Sequence, residues 1–165
     1  MGHYYYLISQ LPYLQFGDPL PMEPGDLLQE AEKWLTAGEY TVLSQVKLDK
    51  TEIHENEPEV LKEYKKFEEK LRNELTKWRE ARDEGTEHKP SLFGAGLIKD
   101  GNPLETEEKL YRLRWDYLDN LETGRHFDFQ VLIIYSLRLQ ILEQLEQYDK
   151  ARGKEKFKHY TEVRL

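Results

Sequence analysis

The chain contains no cysteine, which excludes disulfides and thiolate metal sites built from its own residues. It also lacks a long apolar stretch. No wholly apolar run exceeds the five residues of Val131 to Tyr135, whereas a membrane-spanning helix needs roughly 20. Residues 1–16 have no basic stretch ahead of their aromatic run, and Gln10 and Pro12 interrupt that run, so a signal peptide is not expected. A cationic surplus is missing too. The net charge is −8, and lysines and arginines are interleaved with acids. Phosphate binding needs clustered cations, so no nucleic-acid partner is expected. These absences describe a soluble, cytoplasmic chain that does not span a membrane.

Recognisable catalytic or ligand motifs are scarce as well. His3, His54, His88, His126 and His159 are scattered without His-x-x-x-His spacing, so no metal site is expected. The stretch FGAGLIKDG, Phe93 to Gly101, resembles a glycine-rich phosphate loop only superficially. Neither Gly-x-x-x-x-Gly-Lys-Ser/Thr nor Gly-x-Gly-x-x-Gly is present. Ser9, Ser44, Ser91 and Ser136 sit in no nucleophile-elbow context. Carboxylates are so abundant that no pair stands out as acid and base, and a solvated face is the default reading of them. No catalytic residue and no cofactor is assigned.

What is present is charge combined with helical periodicity. Hydrophobic residues make up 38% and charged residues 34%, a combination that long two-faced helices reconcile. The expected fold is therefore all-α, a single antiparallel helical bundle over residues 1–165. An aromatic, proline-rich segment (1–23) opens it, and Pro19, Pro21, Pro24 and Gly25 form a connector. Asp26 is expected to cap a helix carrying Leu27, Leu28, Ala31, Trp34 and Leu35, with Gly38 ending it. EYTVLSQVKL (39–48) reads as a short helix.

One long helix is expected over about 58–84. Leu61, Tyr64, Phe67, Leu71, Leu75 and Trp78 recur at steps of three and four. The pairs Glu63–Lys66 and Glu68–Arg72 fall outside that stripe and are assigned to solvent. Residues 85–103 hold four glycines and two prolines and read as a flexible loop. Thr106 is expected to cap the next helix and Gly124 to end it, with Leu110, Trp115, Tyr117, Leu118 and Leu121 in the core. A last, central helix follows the Asp128 cap. Its stripe of Leu132, Tyr135, Leu139, Leu142 and Leu145 is wide enough to pack on two sides. Residues 149–165 form a charged C-terminal segment.

Two groups of residues stand out for function. Tyr4, Tyr5, Tyr6, Tyr13 and Phe16, joined by Phe93 of the loop, are candidate partner contacts. A tyrosine covers apolar surface while its hydroxyl stays wet. Packing of this segment on the body of the same chain is the first expectation, and docking of another chain the second. Arg125 to Asp128, RHFD, reads as a helix start with Asp128 as cap and Phe127 as staple rather than as an acid–base pair.

The N-terminal YYYLISQLPYLQFGDPLP (Tyr4 to Pro21), together with LRWDYLDNLETGRHFDFQVLIIYSLRLQILEQLEQYD and the later GKEKF, resembles a bacterial family of uncharacterised proteins encoded within V-type (V/A-type) ATP synthase operons. Trp115, Asp116, Gly124, His126, Phe127, Asp128 and Tyr135 fall in the shared motifs. The resemblance implies a helical, non-catalytic accessory or assembly protein related to the C subunit of such synthases, linking the rotor shaft to the membrane ring. It implies V-type ATP synthase subunits as partners and a cytoplasmic location, peripheral to the membrane through that complex. The middle of this chain is shorter than in many members.

Two other readings compete. One is an independent helical enzyme or ligand-binding protein that uses the 85–103 loop as a lid over His126 and Asp128. The other is a helical regulatory adaptor that dimerises through Leu61, Leu71 and Trp78.

Overall fold

A computed structural model describes the backbone of residues 2–94 and 103–163, and side chains for 4–94, 103–151 and 153. Helices are the only regular elements among the described residues. They are α1 (Gly2–Gln10), α2 (Pro24–Glu32), α3 (Ala37–Ser44), α4 (Glu59–Glu84), α5 (Pro103–Glu122) and α6 (Phe129–Val163). The all-α expectation holds. So do the short helix within 39–48 and the long helix over 58–84, which begins one residue later than the proline suggested.

Local chemistry explains where the helices start, and it corrects three expectations. Asp26 is not the cap of α2. The helix starts at Pro24, and the Asp26 carboxylate reaches back one turn to accept from the Glu23 N–H (3.1 Å). Proline favours that first-turn position because it has no N–H to leave unpaired. Nor does Gly38 end α2; it lies inside α3. Between the two helices Thr36 and Glu39 form a reciprocal capping box, with Glu39 N–H donating to Thr36 Oγ1 (3.2 Å) and Thr36 N–H to Glu39 Oε1 (3.0 Å). Thr106 does not cap α5, because that helix already begins at Pro103 and places Thr106 in its interior. Asp128 does cap α6: the Val131 N–H donates to Asp128 Oδ1 (3.0 Å).

Helix α4 ends as the sequence suggests. Gly85 takes a left-handed φ of 74°, its N–H donates to the Arg82 carbonyl, and the Thr86 N–H donates to the Ala81 carbonyl. Helix α6 differs more. The charged segment from 149 is not a separate tail; one helix of 35 residues continues to Val163, about 52 Å at 1.5 Å per residue. Lys, Arg, Glu and Ala favour helix, and the single Gly153 costs only about 1 kcal/mol.

The apolar stretch of α6 forms the centre of the molecule. Leu132, Ile133, Ile134, Leu137, Leu139, Ile141 and Leu142 are fully buried, and α6 touches α2, α3, α4 and α5. Leu7 of α1, Leu27 and Ala31 of α2, Leu43 of α3, Tyr64 of α4 and Leu118 of α5 complete this main core. Gln140 of α6 fastens the segment after α3: it accepts from the Leu48 N–H (3.0 Å) and donates to the Val46 carbonyl (2.9 Å).

A second, smaller core lies along the later part of α4, where Leu71 and Leu75 pack with Leu110 and Phe93. Phe93 is therefore no free partner contact, because the structure buries it. The start of the 85–103 loop folds back on α4, held also by Ser91 and His88 on the Glu74 carboxylate (both 3.1 Å). Residues 95–102, the later part of the expected flexible loop, lie outside the described residues.

Glu68 also departs from its expected place. It belongs to no solvated face but is 1% exposed. Arg114 of α5 donates to it through Nε (2.7 Å) and Nη2 (2.9 Å), Arg72 through Nε (3.1 Å), and Tyr64 through its hydroxyl (3.2 Å). Burial alone would raise its pKa, but the hydrogen bonds and charge of Arg114, then of Arg72, bring it below the ordinary carboxylate value. The Tyr64 hydroxyl is pushed well up, by burial first and by the Glu68 charge second.

Candidate functional site

The aromatic opening forms α1 and the chain after it, and its residues divide between core and surface. Leu7 is buried, and Tyr4 is half-buried with its ring 6.3 Å from that of Phe129. Tyr5 and Tyr6 lie on the outer side of α1. The Tyr5 ring sits 4.6 Å from Phe127, and Tyr6 stacks at 6.0 Å on Trp34. The segment meets the first expectation. It packs on its own chain through Leu7 and Tyr4, and it leaves an exposed aromatic edge of Tyr5, Tyr6 and Phe127.

After α1 the chain, without regular structure, meets α5 and α6. The hydroxyl of Tyr135, half-buried on α6, donates to the Pro12 carbonyl (2.6 Å). Burial pushes that hydroxyl's pKa up to about 12. Leu14 is buried, and Phe16 meets Trp115 edge-on at 5.6 Å beneath the Arg112 guanidinium (4.9 Å). Tyr13, between these anchors, is 88% exposed.

An open cleft of about 640 Å³ lies between this strip and the C-terminal half of α5. Arg112, Trp115, Asp119 and Glu122 line its α5 side, Arg125 and His126 its end, and Tyr13 and Phe16 the opposite wall. Arg138 of α6 enters from below. Asp119 and Glu122 both accept from it, and its guanidinium lies 5.5 Å from the Trp115 ring centre. Gly124, with φ 81°, reverses the chain at the end of α5 and brings Arg125 and His126 to the cleft. Arg125 is fixed there by its Nε donating to the Leu121 carbonyl (3.1 Å).

The motif residues singled out from the sequence thus take different positions. Trp115 is a buried wall of the cleft, Asp116 is a surface partner of Arg112 (3.2 Å), and His126 is exposed at the cleft end. Asp128 does not line the cleft; its carboxylate serves the α6 N-terminus. None of residues 85–94 lines it either. The enzyme lid and its acid are therefore not with His126 among the described residues. The dimer face fares similarly: Leu61 and Leu71 are buried within the chain, and Trp78 is half-covered beneath Arg82. No group of three or more His, Asp or Glu residues among the described residues is placed to hold a metal ion.

Sequence reading missed Arg112, Asp119, Glu122 and Arg138. Two signals point to them. Positions 112, 115, 119 and 122 share one face of a helix. Arg138 is a lone cation inside the apolar VLIIYSLRLQIL, where a charge needs partners.

The described molecule is thus an all-helical bundle with an aromatic edge leading into an open, arginine-lined cleft. Residues 91–163, less than half of the chain, match the family described as "Protein of unknown function (DUF2764)". No curated protein and no solved structure matches the chain. No helix among the described residues is long and apolar enough to cross a membrane.

Proposed function

We propose that this chain is a non-catalytic assembly protein that works by gripping other proteins. Its proposed setting is a bacterial V-type ATP synthase, in a position like that of the C subunit, between rotor shaft and membrane ring. The observation that carries the binding role is the exposed aromatic edge. Tyr5, Tyr6, Tyr13 and Phe127 stay in solvent while their neighbours Leu7 and Leu14 are core. Exposed aromatics held on a rigid backing are the residue type that dominates protein–protein contacts. The setting is supported by the family resemblance of the two terminal motifs. The acidic surplus of the chain suits a basic partner elsewhere on its surface, where complementary charge speeds and orients association.

Co-expression with the rotor-shaft subunits should give a complex that survives gel filtration. Tyr5→Ser combined with Tyr6→Ser should weaken that complex while shifting the melting temperature by no more than a few degrees. Absence of binding to every ATPase component at micromolar concentration would sink the proposal.

A second reading keeps some support from the cleft beside His126. In that reading the cleft holds a small ligand, and His126→Ala weakens its binding. The open mouth and the absence of Asp128 from the lining make this the lesser of the two.

A further inference from the structure

The connector between α3 and α4, residues 45–58, carries no helix, so its backbone carbonyls take donors from side chains. Two consecutive ones accept from α4. The Leu48 carbonyl accepts from the Tyr64 hydroxyl (3.2 Å), and the Asp49 carbonyl from Arg72 Nη2 (3.2 Å). Both donors also touch the buried Glu68 carboxylate, Tyr64 at Oε2 (3.2 Å) and Arg72, through Nε, at Oε1 (3.1 Å). Arg114 of α5 completes the set, with Nε donating to Oε2 (2.7 Å) and Nη2 to Oε1 (2.9 Å).

Tyr64 cannot serve both of its acceptors fully. A phenol has one proton to donate, and the two acceptors stand at equal distance from its oxygen. The charge left on the carboxylate decides the sharing. With the Arg114 fork in place, two charge-assisted bonds satisfy Glu68 and leave the Tyr64 proton to Leu48. With Arg114 withdrawn, a buried and poorly solvated carboxylate outcompetes an amide carbonyl for that proton. Arg72 is drawn in the same direction, away from Asp49.

We propose that Glu68 is a relay between α5 and the α3–α4 connector: the seating of Arg114 sets how firmly Leu48 and Asp49 are held. Each end of the relay borders an open cleft. Arg112 and Trp115, on either side of Arg114 in the chain, line the cleft described above. Lys47, Leu48 and Asp49 line a second one, of about 540 Å³, with Glu23 and Glu143. A displacement of α5 at the first cleft therefore loosens a wall of the second. The relay is a property of the fold and holds whichever partner the chain binds.

Amide exchange in the full chain, followed by NMR, tests it. The reporter is the Leu48 N–H, which Gln140 holds without Glu68, and residues 131–145 report global opening. Arg114→Lys keeps the charge but replaces the two-pronged contact by a single one. It should speed exchange at Leu48 by about tenfold beyond any change over 131–145. Tyr64→Phe, which removes only the hydroxyl, should do the same. Together they should exceed the larger single effect by no more than about threefold, because Arg114→Lys has already taken the Tyr64 proton from Leu48. Lys62→Met releases the Glu55 carbonyl, a hold that does not involve Glu68, and should have the same effect with and without Arg114→Lys. If circular dichroism shows Arg114→Lys unfolded, Arg72→Lys, at a half-exposed side chain, takes its place with the same expectations, since one ammonium cannot hold both Glu68 and Asp49. An unchanged rate at Leu48, a rise matched over 131–145, or effects of the paired substitutions that simply multiply would overturn the inference.

Discussion

Glu68 is a charged residue whose removal should cost more than that of any surface acid. It sits between two arginines and a tyrosine hydroxyl, with almost no contact with water. Glu68→Ala would leave Arg114 buried without its counter-charge, and breaking such a pair from one side costs about 3–5 kcal/mol. Chemical denaturation of the variant against the parent measures this. The pH dependence has a definite sign. The folded-state pKa is below the unfolded one, so the contribution of Glu68 is complete above the unfolded value, about 4.3 for Glu, and disappears as the pH falls through the lowered folded value. Stability measured from pH 6 downward should therefore fall less steeply in Glu68→Gln than in the parent. A parallel fall in both would refute that assignment.

Single residues are also where the sequence was least legible. Glu68 lies one position from the apolar Phe67, and a one-residue step is 100° of helix, so the width of the buried face decided its place, not its chemistry. Arg114, which makes that burial tolerable, lies 46 positions away and no local pattern links the two. Phe93 looked available because it stands in a stretch that reads as a flexible loop. Its burial follows from a chain reversal at Gly85 that returns it to α4, which is tertiary information.

At the scale of helices much more was readable. Leu61, Tyr64, Leu71 and Leu75 announced α4, and the Asp128 cap announced α6, because periodicity and capping are local. The errors fell at boundaries where two start signals compete, as with Pro24 against Asp26 or Pro103 against Thr106. Turn chemistry at this scale gives two predictions. Gly124 adopts φ 81° with open space around it, so a methyl group there meets no atom and only the backbone resists. Gly124→Ala should then cost about 1 kcal/mol or somewhat more, and should also disturb the cleft by moving Arg125 and His126.

Helix α1 is attached chiefly through Leu7, which is 1% exposed. Leu7→Ala removes that anchor and should cost about 2–4 kcal/mol, with early proteolytic cleavage between α1 and α2. Tyr13→Ser, at a nearly free side chain, should leave stability unchanged within about 0.5 kcal/mol. Equal effects of the two substitutions would mean that the strip is not divided into core and surface as described.

For the whole molecule, the two cores have different weights. The main one draws on helices from every part of the described chain and closes around α6, whereas the second, among the described residues, joins α4, α5 and the loop residues Leu92 and Phe93. A small satellite core can open while the large one stays shut, because its backbone hydrogen bonds depend on fewer buried contacts. Amide exchange should accordingly be slowest over 131–145 and faster over 71–84, although both stretches are regular helix. Phe93→Ala sharpens the contrast. It removes one of the four buried side chains of the satellite core and should speed exchange across the end of α4 and the start of α5 while leaving 131–145 near the parent rate. If exchange instead accelerated equally in both regions, the bundle would open as one cooperative unit and the division into two cores would carry no thermodynamic meaning. If it does not, the cleft and aromatic edge, which are built on the main core, keep their shape even while the far end of α4 moves.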